Sequence, residues 1–203
     1  MADRRTRGMT GSGQNRTTAA RAAAIAEQLH YECTILLELF RKRESLFSDF
    51  AVGDGRLVSV PSPSSQLDTK DKLWCLHSAL LQCRGLLERA MSREEEELGG
   101  GEKGEYESQG KLVRERLSLL LGCTGELLKA ADGSVVLTPN LDSLEIDRST
   151  SLFELKLWIY RVFKEVDYWS QTAITMLQAL PAVTAKEVGR TAAGSRRRRS
   201  LRR

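Results

Sequence analysis

Apolar residues return along this chain at helical spacing, three and then four positions apart, in four separated stretches. The sharpest is the last. Leu155, Ile159, Val162, Val166, Trp169, Ala173, Met176 and Leu180 lie on one stripe and predict a helix over about 152–180. The first stretch, about 17–47, places Ile25, Leu29, Cys33, Leu36, Phe40 and Phe47 on one side. The second, about 69–97, repeats Leu73, Leu76, Leu80, Cys83, Leu87 and Met91 as a heptad. The third, about 109–131, uses Val113, Leu117, Leu120, Leu127 and Leu128. It carries the weakest signal, since Gly110, Gly122 and Gly125 each cost about 1 kcal/mol relative to alanine in a helix interior. Asp132-Gly133 supplies its stop. No proline interrupts a periodic stretch: Pro61, Pro63 and Pro139 fall in polar segments and Pro181 follows Leu180.

The start of the last helix is marked by a capping box, Ser151 followed three residues later by Glu154. The box puts Phe153 in the first turn, off the apolar stripe, roughly 160° around the axis from Leu155. Lys156, Tyr160 and Lys164 are expected to follow on the same outer side. An aromatic exposed beside a lysine on a rigid element reads as a contact surface. The competing reading is a loop folded over Phe153.

Connection lengths select the topology. Residues 48–68 and 133–150 form links of 21 and 18 residues. At about 3.3 Å per residue each can run the length of a 30-residue helix, about 45 Å. The 11-residue link over 98–108 suits antiparallel neighbours. The expected fold is all-α, a long-chain four-helix bundle with up-up-down-down topology and two long crossover loops. In this reading residues 1–16 are a disordered basic N-terminus, 17–181 the bundle, and 182–203 a disordered Arg-rich tail.

Composition sharpens that picture. A chain of 203 residues is enough for one ordinary core, and its 6% aromatic content suits packed helices. Charge is unevenly placed. Residues 1–21 carry +4 and residues 185–203 carry +7, so with +4 overall residues 22–184 carry −7. The tail Arg196-Arg197-Arg198-Arg199-Ser200-Leu201-Arg202-Arg203 is suited to heparan sulfate, to nuclear import or to nucleic acid. An acidic bundle argues against nucleic acid, which usually finds a basic face on the folded part.

Chemistry is scarce. Cys33, Cys75, Cys83 and Cys123 sit on or beside apolar faces and are expected to be reduced, structural thiols. His30 and His77 stand in no zinc-binding spacing. Gly53-Asp54-Gly55 and the triple glycine at 99–101 lack the context of a phosphate loop, and the acidic run 94–97 points in all directions around a helix. Neither an enzyme nor a cofactor is expected. The first residues lack the apolar run of a signal peptide, and no apolar stretch reaches membrane-spanning length. Synthesis in the cytoplasm is expected.

The segment Leu152-Phe153-Glu154, then Lys156-Leu157-Trp158, Val162, Glu165 and Trp169, resembles the last helix of the interleukin-6 type helical cytokines, their neurotrophic branch in particular. The likeness is close over about thirty residues. It extends loosely to the four-helix layout, the long first crossover and the segment from Leu67-Asp68-Thr69 to Leu73. Absence of a leader and of a disulfide framework is similar to that branch, whose neurotrophic member is released from the cytoplasm without a signal peptide.

The resemblance implies a receptor-assembling growth factor. Phe153 and Lys156 would engage the leukaemia inhibitory factor receptor, the ring entering an apolar pocket and the lysine offering a charge. Outward faces of the first and third helices would meet the shared signal-transducing receptor subunit. Kinases attached to the assembled receptors would then act inside the target cell. The sequence departs from the family where an alpha receptor binds: Ser64 stands in place of a tryptophan, and Thr172 and Thr175 in place of charged residues. The alternative function is an intracellular helical protein that binds nucleic acid or another polyanion through its basic tail.

Overall fold

Each of the four periodic stretches forms a helix: α1 Arg7–Glu44, α2 Thr69–Leu98, α3 Glu105–Asp132 and α4 Leu152–Gln178. The structure, a computed structural model, describes residues 7–45, 55–64, 66–98, 104–132 and 151–180, and the side chains from residue 17 onward among them. Residues 1–6 and 181–203, with the Arg-rich tail, lie outside the described residues, as do Phe47 and the segment 133–150.

Helix boundaries follow local chemistry. Asp68 takes the Asp71 amide at 2.7 Å and so opens α2. At α4 both halves of the capping box form: Ser151 Oγ accepts from the Glu154 amide at 3.3 Å, and Glu154 Oε2 accepts from the Ser151 amide at 3.0 Å. The widest departure from expectation is at α1, while α3 starts at Glu105 rather than near Gln109. α1 starts at Arg7 rather than near Thr17, within the segment expected to be disordered. Extending a formed helix by a residue costs far less than nucleating one, so a stretch with no apolar pattern can continue it.

Side-chain pairs give the directions. Arg41 meets Tyr160, Cys33 meets the Phe163 carbonyl and Glu27 meets Gln178, so α1 and α4 run antiparallel. Arg21 pairs with Glu126 and Gln109 with Glu32, which makes α1 and α3 antiparallel as well. His77 reaches Thr124 and Glu94 reaches Tyr106, so α2 opposes α3. Each helix packs on the two that oppose it, while α1 and α2, like α3 and α4, lie diagonally. That arrangement is the up-up-down-down bundle, built of four helices with no strand among the described residues.

One core fills its centre. Leu29, Cys33, Leu36 and Phe40 of α1 and Leu76, Leu80, Cys83 and Leu87 of α2 are fully closed off. Val113, Leu117 and Leu120 of α3 and Ile159, Val162, Phe163, Val166 and Trp169 of α4 are buried in the same core. The doubtful third helix runs unbroken through its glycines, and packing explains two of them. A Cβ on Gly110 would lie 3.2 Å from Met91 Cε, and one on Gly125 would lie 3.3 Å from His77 Cε1. At both glycines a side chain of α2 fills the space that a Cβ would crowd.

The first crossover is strapped down where it passes α2 and α4. Val58 is buried, and the Ser59 amide donates to Gln82 Oε1 at 2.9 Å. Ser62 shares a 2.6 Å hydrogen bond with the Tyr168 hydroxyl, and Arg161 donates to the Gly55 carbonyl at 2.6 Å. Arg56 lies over the Tyr168 ring. Beneath them Glu165 accepts from the Trp169 indole at 3.0 Å and, at 3.5 Å each, from the Leu57 amide and Arg56.

Candidate functional site

The capped first turn of α4 projects two large apolar side chains, Leu152 and Phe153, which are 55% and 50% exposed. Leu155, two positions on, is buried in the core. Helical geometry explains the contrast: the stripe that begins at Leu155 must face the bundle, which turns Phe153 away from it. Of the residues expected on that outer side, Lys164 is exposed. Tyr160 is not. It is buried, its ring stacked at 15° to Phe40 with centroids 6.5 Å apart, its hydroxyl accepting from Arg41. The helical wheel places Tyr160 within about 20° of Phe153, on the outer side, and the end of α1, through Phe40 and Arg41, nevertheless covers it.

Lys156 lies between the two extremes. Its ammonium pairs with Glu44 Oε2 at 2.7 Å, at the last residue of α1. The other oxygen of Glu44 holds Arg43 Nε at 2.7 Å, and Arg43 reaches on to Glu94 near the end of α2. Glu94 Oε2 accepts from the Tyr106 hydroxyl at 2.8 Å, in the first turn of α3. The Arg43 guanidinium also lies 4.0 Å from the centre of the Tyr106 ring. Charges therefore alternate, lysine, glutamate, arginine, glutamate, and one chain of contacts ties together the ends of all four helices.

Burial and charge oppose each other within this chain. Burial pushes the Glu44 carboxyl up, but hydrogen bonds from Lys156 and Arg43 with their charges outweigh it and hold Glu44 below the usual carboxylate range. Burial, with the Glu94 charge and hydrogen bond behind it, pushes the Tyr106 hydroxyl far up, so it remains a neutral donor. Burial likewise lowers Arg43, and Glu94 more than restores it.

The structure thus brings Phe153 and Lys156 onto one turn but does not leave the lysine as a bare surface charge. Its partner Glu44 carries no sequence signal, because nothing local relates the end of α1 to the start of α4. The Glu165–Trp169 contact did have one: a carboxylate four residues before a tryptophan on a helix can take its indole N–H. The pairing of His30 with Asp167 at 2.8 Å joins α1 to α4 and had none.

Other expected features are simply placed. All four cysteines are free and buried, and burial raises the Cys33 and Cys83 thiols well above their ordinary value. Ser64 is exposed, and the Thr172 and Thr175 hydroxyls bond back to carbonyls of their own helix. Among the described residues there is no cluster of metal-ligating side chains, and no helix is long and apolar enough to cross a membrane. No protein family's sequence profile and no curated protein matches this chain.

Proposed function

We propose that this chain is a four-helix signalling ligand of the interleukin-6 type, related to ciliary neurotrophic factor, which works by bringing receptor ectodomains together. The observation that carries the reading is the pair Leu152 and Phe153, half exposed on a turn whose backbone is fixed by the Ser151–Glu154 box. An aromatic held on a rigid turn meets a pocket with little ordering cost, and such anchors dominate interface energies. The up-up-down-down bundle supports the reading, since it is the arrangement of helical cytokines.

The proposed partner of this turn is the leukaemia inhibitory factor receptor, with the shared signal-transducing subunit on the outward faces of α1 and α3. Engagement of an alpha receptor is the weaker element, with Ser64 at the position of the family's tryptophan. Retention on heparan sulfate by the Arg-rich tail belongs to the same proposal.

The test is binding of the full chain to immobilised ectodomains of the two receptors, singly and together. Phe153→Ala is expected to weaken binding to the leukaemia inhibitory factor receptor at least tenfold, the loss of a modest anchor at about 1.4 kcal/mol. Full-strength binding by that variant would overturn the site. The alternative, polyanion binding through the tail, rests on the +7 charge of residues 185–203. It predicts that deleting residues 190–203 abolishes binding to heparin or nucleic acid, with steep salt dependence in the intact chain, and that receptor ectodomains are not bound.

A further inference from the structure

Lys156 stands one helical turn after Phe153, and its ammonium is already committed. It meets Glu44 at 2.7 Å, and the Glu44 side chain is only 9% exposed. The ammonium keeps N–H donors for a second acceptor, but its charge is already offset: Lys156, Glu44, Arg43 and Glu94 together carry no net charge, so a partner's carboxylate gains little there. The same contact does something useful without being broken. It fastens the first turns of α4, where helices otherwise fray, to the last residue of α1, and through Arg43 and Glu94 to α2 and α3.

We infer that Glu44 is a positioning residue for the docking turn: it holds Lys156 as a strut beneath Leu152 and Phe153, and the apolar pair rather than the lysine charge meets the partner. The inference rests on the docking role given to that turn above. It reassigns Lys156 from presenting a charge to setting the height and angle of Phe153 against the end of α1.

A double-mutant cycle on the full chain separates the two roles, with the leukaemia inhibitory factor receptor ectodomain as probe. As a strut, Glu44→Gln and Lys156→Gln each weaken binding by about fivefold, roughly 1 kcal/mol, and the double variant is no worse than either single one. Lys156→Arg, which keeps the ion pair, restores binding. The salt dependence of the association rate is the same with Lys156→Gln as with the parent chain, because no charge facing the partner has been removed. The inference is overturned if Glu44→Gln binds as well as the parent or better while Lys156→Gln binds worse, or if Lys156→Gln flattens the salt dependence.

Two controls keep its failure distinct from that of the docking role. Phe153→Ala in the same assay tests whether the turn docks at all. Hydrogen exchange of the amides of residues 154–157 in the free protein tests the strut without a receptor. Glu44→Gln is expected to speed that exchange severalfold, and unchanged exchange would remove the strut whatever the receptor data show.

Discussion

Two nearly enclosed carboxylates hold α4 in place, and they are used in different ways. Glu165, in the middle of the helix, accepts from the neutral Trp169 indole at 3.0 Å and, at 3.5 Å each, from the Leu57 amide and the Arg56 guanidinium. Glu44, at the end of the bundle, meets two cations, Lys156 and Arg43, at 2.7 Å each. The first serves chiefly as an acceptor and the second as a charge. A mid-bundle site surrounded by core needs its N–H groups satisfied, because unmet donors there are costly. At an open end water can satisfy backbone groups, and what remains to be supplied is a direction for each helix to leave the bundle.

That contrast can be broken by substitution, and the largest effect belongs to the middle. Trp169→Ala removes a fully buried indole along with the donor that Glu165 accepts from, and is expected to cost about 4 kcal/mol in chemical unfolding. Glu165→Ala should cost roughly 2 to 3 kcal/mol by leaving the indole and the Leu57 amide without an acceptor, and Glu165→Gln clearly less, since an amide oxygen still accepts. At Glu44 the two substitutions should be alike. Both Glu44→Ala and Glu44→Gln remove the charge and are expected to cost about 1.5 kcal/mol. If Glu44→Gln proved far milder than Glu44→Ala, the distinction between acceptor and charge would fail.

Acid sharpens the same comparison. The folded-state value of Glu44 is depressed, so its stabilisation is complete above the ordinary carboxylate value of 4.5 and is lost as pH falls through the lower folded value. Thermal unfolding of the parent chain and of Glu44→Gln should therefore differ most at pH 7 and converge toward pH 3. Curves that stay parallel would mean that Glu44 acts through packing. The smallest effect on stability belongs to Phe153→Ala, within about 0.5 kcal/mol, because the residue is already 50% exposed. A larger loss would place Phe153 in the core and remove it from the docking turn.

Much of this architecture was legible in the residues. Val113, Leu117 and Leu120 marked α3 in spite of its glycines, and Ser151 with Glu154 marked the first turn of α4 to the residue. The exposure of Phe153 followed from periodicity, since a stripe beginning at Leu155 cannot include it. Tyr160 escaped the same logic. A helical wheel gives angle but not the reach of the next helix, and Phe40 and Arg41 at the end of α1 bury a residue well outside the core stripe. The early start of α1 escaped because helix elongation needs little signal from each residue.

By itself the sequence determined that four helices form, which apolar stripe of each faces inward and which way Phe153 turns, because all three depend on contacts within a few residues. Only the tertiary structure decided what Lys156 is for. Its partner Glu44 belongs to another helix far away in the chain, and no local rule links them. The free energy of that pair depends on burial, and burial exists only once α1 and α4 have packed antiparallel and brought their ends together.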